Sequence, residues 1–119
     1  SEKPLTICDT GHNVGGWEYI SKQLDHTPGR LHIVIGMVGD KDVRKVVAML
    51  PKRARYYFTQ ASVKRAMPAT EFAEIAKEHG LEGSVYNSVV EAYEEAKQQA
   101  SENDTIFIGG STFIVADML

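Results

Sequence analysis

The sequence predicts an α/β domain of three layers, Rossmann-like, with a mainly parallel sheet of about five strands. Short apolar segments alternate with helical segments from one end to the other, and residues 31–37 are apolar almost throughout. Strands that are joined by helices form parallel sheets with right-handed crossovers. An apolar strand without alternation is typical of a sheet that helices cover on both faces.

The first half of the chain contains three predicted strands and two predicted helices. In the first helix, Trp17, Ile20 and Leu24 fall on one face, as the helical period requires. Pro51 ends the second helix. The elements of this half are a strand at 5–9, a helix at 13–26, a strand at 31–37, a helix at 43–50 and a strand at 54–59.

The second half continues the alternation. Pro68 is well placed in the first turn of a helix, Gly80 lies beyond its end, and Ser88 is a good N-cap for the next helix. The elements are a helix at 68–79, a brief strand at 84–86, a helix at 88–101, a strand at 105–108 and a last helix that opens at 109 and runs to the end of the chain. The predicted core includes the aromatic residues Trp17, Phe72, Tyr93 and Phe107.

Composition limits the classes of function. The chain has 119 residues, 43% hydrophobic and 24% charged, which suits one globular domain with its own core. Its net charge of −3 gives no reason to expect a nucleic-acid partner. No apolar run approaches the roughly 20 residues of a membrane span, so no membrane contact is expected. The lone Cys8 cannot form an internal disulfide, and a cytoplasmic setting is expected.

Unusual polar residues follow four of the predicted strands. The carboxyl ends of parallel strands meet at one edge of a sheet, and open α/β sheets bind their ligands there. The residues concerned are Asp9, His12, Asn13, Asp40, Lys41, Asp42, Lys64, Arg65 and Ser111. The other histidines, His26, His32 and His79, do not lie at metal-ligand spacing from His12. They are predicted to be structural or solvent-exposed, and no metal site is predicted.

The segment after the first strand has two interpretations. In the functional one, Asp9 accepts hydrogen bonds from ribose hydroxyls, while His12 and Asn13 face phosphate at a helix N-terminus. In the other, Asn13 or Thr10 only caps the helix and His12 is an exposed loop residue. The chain contains neither the dinucleotide fingerprint nor a phosphate loop, so a nucleotide site here would lack its own phosphate cradle.

The other three loops carry residues suited to anions. Lys41 can reach an anionic group as a mobile point charge, although Asp42 beside it can also be a simple helix cap. Arg65 can clamp a carboxylate, or belong to an ordinary basic surface pair. Ser111 follows two glycines that bare backbone N–H groups at a helix N-terminus, and it is also a natural N-cap.

These motifs, in this order, resemble the C-terminal domain of folylpolyglutamate synthase/dihydrofolate synthase, within the family of ATP-dependent Mur ligases. The resemblance covers nearly the whole chain. Thr10-Gly11 and Val14 depart from the family's Gly-Ala and Pro, without removing a functional side chain. The matching segments are Asp9-Thr10-Gly11-His12-Asn13-Val14, Gly36-Met37-Val38-Gly39-Asp40-Lys41-Asp42, Lys64-Arg65-Ala66 and Gly110-Ser111-Thr112-Phe113-Ile114-Val115.

The resemblance implies that residues 1–119 are the C-terminal domain of a ligase that adds glutamate to folate or dihydropteroate through an acyl phosphate. It implies ATP, with Mg²⁺ bound mainly by an N-terminal ATPase domain that is outside this sequence, and it implies an isolated domain without activity. The implied roles are ribose or phosphate contacts for Asp9, His12 and Asn13, with His12 catalytic. The implied substrate-binding residues are Lys41, Asp42, Arg65 and Ser111.

Two alternatives remain open from the sequence. One is a C-terminal domain of another Mur-type ligase, which acts on a muramoyl peptide or makes cyanophycin. The other is a nucleotide-binding module without catalysis, with which the missing phosphate loop is also compatible.

Overall fold

A computed structural model describes residues 5–8, 22, 24, 29–37, 43–62, 64 and 66–109 of the chain. The strands and helices follow each other as the sequence predicts. They are β1 (Leu5–Cys8), β2 (Leu31–Ile35), α1 (Val43–Met49), β3 (Arg55–Phe58), α2 (Ala69–Glu78), β4 (Glu82–Val85), α3 (Val89–Gln99) and β5 (Thr105–Gly109).

Two predicted helices fall largely or wholly outside the described residues. Within the predicted helix at 13–26, Lys22 and Leu24 are helical, and the rest lies outside the described part. The last helix was predicted to open at Gly109, but Gly109 is the final residue of β5, and the rest of that helix lies outside the described part. The prediction for β4 was displaced, since the strand occupies Glu82–Val85 instead of 84–86. The first half of β4 is polar and contains Gly83. A prediction based on apolar residues therefore set the start of the strand too late in the sequence.

The five strands form one parallel sheet in the order β1-β5-β2-β3-β4, which confirms the predicted fold class. β5 therefore lies between β1 and β2. All five residues of β2 and all five of β5 are buried, as expected for strands with helices on both sides. β1 and β4 are the two outermost strands of the sheet.

The core has one cluster on each face of the sheet, which gives the three layers. On the first face, Phe72 of α2 and the valines of α1 pack against Tyr56 and Phe58 of β3 and Phe107 of β5. On the second face, Val89, Ala92 and Ala96 of α3 pack against Val34, Tyr57, Ile106 and Ile108. Phe72 and Phe107 are buried as predicted, and Tyr93 packs half-buried beside the second cluster. Trp17 lies outside the described residues.

Local sequence explains where α2 and α3 begin and end. Ser88 is the N-cap of α3, and its Oγ accepts a hydrogen bond from the Glu91 N–H at 3.1 Å. Pro68 precedes α2 and offers no side-chain cap, so another group must serve the first N–H groups of that helix. Gly80 follows α2 with a φ of +82°, the left-handed conformation that ends many helices.

Candidate functional site

The carboxyl ends of β1, β5, β2 and β3 lie at one edge of the sheet, because all of these strands are parallel. The segments that leave this edge start directly after Cys8, Gly109, Ile35 and Phe58. They are the segments in which the sequence predicts the site. The predicted residues themselves, which are Asp9, His12, Asn13, Lys41, Asp42, Arg65 and Ser111, lie outside the described residues, so their roles stay predictions.

The strand order sets which segments start side by side. β1 and β5 are neighbours, with Cys8 paired to Ile108, so Asp9 and Gly109 follow paired residues. Neighbouring strands are about 4.8 Å apart, and β3 is three strands from β1. The segment after β3 therefore starts about 14 Å from the segment that contains Asp9. A ligand that contacts both must span most of the edge.

Three hydrogen bonds hold the segment after β3. The Thr59 N–H donates to the Ile35 carbonyl at 2.9 Å, and the Met67 N–H donates to the Met37 carbonyl at 2.8 Å. Between them, the Gln60 side-chain Oε1 accepts from the Ala69 N–H at 2.9 Å. Gln60 thus supplies the cap that Pro68 cannot. The segment is fastened at its two ends to β2 and to the start of α2.

The same segment contributes side chains to both core clusters. Ala61 belongs to the core cluster on the α3 side, and Ala66 packs against that cluster. Met67 belongs to the cluster on the α1 and α2 side. Ala66 and Met67 therefore contact opposite faces of the sheet, as successive residues of an extended chain do. Lys64, two residues before Ala66, is exposed.

Thr59 is an unusual buried polar residue at this edge. It has no exposed surface, and its Oγ1 has no hydrogen-bond partner within the described part of the chain. A buried hydroxyl without a partner costs about 1–3 kcal/mol, and native proteins contain few. Thr59 and Gln60 were missed as candidates in the sequence. Their signal was available, since both are polar and both follow a buried strand at the predicted ligand edge.

A second polar cluster lies at the amino end of the same strands. Asp104, just before β5, accepts hydrogen bonds from the N–H groups of Arg30 and Ser101, each at 3.0 Å. His32 Nε2 lies 3.0 Å from Asp104 Oδ2, and His32 Nδ1 lies 2.8 Å from the Tyr57 hydroxyl. The Tyr57 hydroxyl donates to Gln99 Oε1 at 3.2 Å. The prediction that His32 is structural or exposed is confirmed in its structural form.

The pKa values of this cluster follow from its contacts. Burial raises the pKa of Asp104, but the backbone N–H groups of Ser101 and Arg30 and the His32 side chain outweigh it, and the pKa falls to about 2. Burial raises the pKa of Tyr57 to about 12, so its hydroxyl keeps its proton at neutral pH. Since the cluster is closed and lies opposite the ligand edge, we assign it to stability.

The described residues offer no cluster of three or more His, Cys, Asp or Glu side chains that could hold a metal ion. Nor does any helix in the described ranges have the length and apolarity to cross a membrane.

Comparison with known proteins assigns the chain to a family. Residues 1–112 match the family described as Mur ligase, glutamate ligase domain. The dihydrofolate synthase/folylpolyglutamate synthase of Escherichia coli is 33% identical in an alignment 121 residues long, which covers all of this chain and 28% of that enzyme. The corresponding enzyme of Buchnera aphidicola from Schizaphis graminum is 29% identical, over 98% of this chain and 28% of its own length.

Solved structures agree with the sequence comparison. E. coli FolC in complex with DHPP and ADP superimposes with a TM-score of 0.89 at 30% identity, and the match covers 99% of this chain and 28% of FolC. A bifunctional folylpolyglutamate synthase/dihydrofolate synthase with Mn, AMPPNP and L-glutamate bound gives a TM-score of 0.83 at 29% identity, over 98% of this chain and 29% of that protein. The chain thus spans less than a third of its relatives' length.

Proposed function

Because this chain belongs to the Mur ligase family, as its glutamate ligase domain, we propose that it is the C-terminal domain of a folylpolyglutamate synthase/dihydrofolate synthase. The ligase would use ATP to join glutamate to the carboxylate of folate or dihydropteroate, in the cytoplasm. The relatives' bound ADP, AMPPNP, DHPP and L-glutamate support this choice of substrates.

One observation of this structure supports the proposal most directly. The strands that precede all seven candidate residues end at the same edge of one parallel sheet. A nucleotide at the end of β1 and an amino acid along the ends of β5, β2 and β3 would fit along this edge. A partner domain docked here would close over both substrates, exclude water and align them.

The chemistry divides into two steps. The folate carboxylate attacks the γ-phosphorus of ATP, which gives an acyl phosphate and releases ADP. The neutral amino group of glutamate then attacks the acyl carbon, the amide forms, and phosphate leaves while the nitrogen loses a proton. In this scheme Asp9 holds the ribose, and His12 and Asn13 stabilise charge near the transferred phosphate. Lys41, Asp42, Arg65 and Ser111 hold the amino acid and order the interdomain loop.

The divalent metal belongs elsewhere in this scheme. A relative's structure contains Mn with AMPPNP. Mg²⁺ binds oxygen ligands, which are mostly carboxylates, waters and the phosphates of the substrate. We propose that the N-terminal ATPase domain holds Mg²⁺ and also supplies the phosphate loop, which this sequence lacks. On this basis the isolated domain should not turn over ATP.

Kinetics of the full-length ligase test this proposal. His12→Ala should lower kcat by about 10²-fold or more, since His12 would act where charge develops. Asp9→Ala should mainly raise the KM for ATP, because a ribose contact exists in ground and transition states alike. His79→Ala is the matched control, since His79 follows α2 and its Nδ1 lies 3.0 Å from the Ile75 carbonyl.

Two outcomes would contradict the proposal. A wild-type enzyme that releases ADP with a muramoyl peptide, and not with folate and glutamate, would belong to another branch of the family. If His12→Ala and His79→Ala were equally active, the catalytic role of His12 would be wrong.

A further inference from the structure

We infer that Gln60 is a positioning residue for the carboxylate of the incoming amino acid, acting through the segment 61–68 that carries Lys64 and Arg65. This inference rests on the proposed function, because it assumes that an amino-acid carboxylate binds at this edge. Gln60 does not touch substrate in this account. It fixes the backbone of the segment in which Lys64 is exposed, one residue before Arg65 in the sequence.

The first argument is the geometry of the fastening. Gln60 and Ala69 are nine residues apart, and the bond between Oε1 and the Ala69 N–H joins the two ends of the segment. The Met67 N–H bond to the Met37 carbonyl holds the same segment to the end of β2. With these two bonds in place, the backbone on both sides of Arg65 is tied to the sheet.

The second argument is where the segment lies. The Met67 N–H bonds to the Met37 carbonyl, two residues past β2, so the segment runs along the carboxyl end of the sheet. Ala66 and Met67 pack on opposite faces of the sheet, as successive residues of an extended chain do. Lys64 is exposed on backbone that Gln60 helps to hold, and Arg65 follows it in sequence.

The third argument is the Thr59 hydroxyl, which has no hydrogen-bond partner among the described residues. This residue lies at the base of the same segment, fully buried, beside Gln60 in sequence. An unsatisfied polar group at a ligand edge, where the fold tolerates its cost, indicates that the local geometry serves more than packing. Simple capping of α2 by Gln60 would explain the Ala69 bond, but it would not explain the cost of the hydroxyl beside it.

The position along the edge determines which substrate should respond. The segment starts at β3, about 14 Å from the end of β1, where the nucleotide is proposed to bind. Loss of the Gln60 bond should therefore weaken the amino-acid site and leave the nucleotide site unchanged. A misplaced binding group can cost a large factor in turnover, so the effect should be measurable.

The test uses the full-length ligase with Gln60→Ala and Gln60→Met. The methionine variant keeps the length of the side chain and removes the amide oxygen, so it guards against a cavity or a folding defect in the alanine variant. We expect both to raise the KM for glutamate about fivefold or more, with the KM for ATP unchanged and kcat within about twofold.

Ser88→Ala is the matched control. Ser88 makes the equivalent side-chain bond at the start of α3, after the edge strand β4. Its loss should lower Tm by a few degrees, about as much as the loss of the Gln60 bond, with no change in the KM for glutamate. If Gln60→Ala and Gln60→Met lower Tm like Ser88→Ala but leave the KM for glutamate unchanged, Gln60 is only a helix cap and the inference fails.

The failure of the inference is separable from the failure of the proposed function. If the wild-type enzyme shows no glutamate-dependent ADP release, the proposed function itself is wrong. If the wild-type enzyme is active and both variants match it in every constant, only the positioning role is wrong.

Discussion

The two ends of one sheet differ in how their buried polar groups are hydrogen-bonded. At the amino end, Asp104 accepts three hydrogen bonds and His32 contacts a partner through each ring nitrogen. At the carboxyl end, Thr59 is just as buried, but its hydroxyl has no partner in the part of the chain described. The same strands contribute to both ends, so the difference is not one of overall packing. A fully paired cluster indicates stability, and an unpaired group at the ligand edge indicates a place for ligands.

The largest expected effect tests how rigid the amino end is. Gly29 has a φ of +69°, and an added Cβ would collide with the Asn103 carbonyl. We expect Gly29→Ala to lower the free energy of unfolding by about 3–5 kcal/mol, because backbone strain and a backbone clash add together. Gly80→Ala is the control. Gly80 also has positive φ, but an added Cβ there meets nothing within 4 Å, so only about 1–2 kcal/mol should be lost.

Urea unfolding of both glycine variants measures this difference. Equal losses would show that the contact between residue 29 and residue 103 relaxes easily, and that the amino end is softer than its hydrogen bonds imply.

The second effect concerns the charge of Asp104. In Asp104→Asn, one carboxylate oxygen becomes an NH₂ group, which cannot accept a hydrogen bond. If the NH₂ group replaces Oδ2, the bonds from Ser101 and His32 are lost, and if it replaces Oδ1, the bond from Arg30 is lost. We expect a loss of about 2–4 kcal/mol at neutral pH. The free energy of unfolding from denaturant titrations gives the value. A loss below about 0.5 kcal/mol would mean that the cluster contributes little.

The pH dependence of that loss is a separate check. The pKa of Asp104 in the fold is about 2, below its usual value of 3.8. A lowered carboxyl pKa stabilises the fold fully above the ordinary pKa, and this stabilisation is lost as the pH falls through the lowered one. The gap between wild type and Asp104→Asn should therefore be constant from about pH 7 to pH 5 and narrow below about pH 4. A gap independent of pH down to about pH 2.5 would contradict the role of the charge.

The smallest effect has opposite signs at the two ends. Thr59→Val removes a hydroxyl without a partner and should stabilise the domain by up to about 1 kcal/mol. Thr105 is equally buried at the amino end and does have a bonding partner, so Thr105→Val should destabilise by about 1 kcal/mol. Thermal unfolding of the two variants compares them directly. If Thr59→Val also destabilised, the hydroxyl would have a partner such as a buried water, and the contrast between the ends would disappear.

Hydrophobic patterning and the residues that begin and end helices predicted the order of the elements well. The continuous apolar run at 31–37 indicated a doubly covered strand, and β2 is buried at all five positions. Ser88 was correctly predicted as an N-cap from its residue type and place. These features are local, so a short window of sequence contains the physical cause of each.

The features that escaped prediction depend on residues far apart in the chain. The cluster of His32, Tyr57 and Asp104 joins residues 25 and 72 positions apart, and no periodic pattern encodes that pairing. Asp104 was not among the candidate residues of the sequence. A histidine inside an apolar strand and an acid just before another strand were the available signals. The insertion of β5 between β1 and β2 is equally invisible to a local pattern, since it depends on how the whole sheet is assembled.

The position of β5 between β1 and β2 has a consequence for how this domain folds. β2, β3 and β4 are neighbours in both sequence and space, so they can pair as they leave the ribosome. β1 emerges first, but its pairing partner begins 100 residues later, with Leu5 opposite Thr105. Closing so long a loop is slow. The side of β2 that pairs with β5 also stays unpaired until β5 has been synthesised. The first strand of this domain to be synthesised is thus among the last to pair, and a chain that stops short of residue 105 leaves two strand edges open to aggregation.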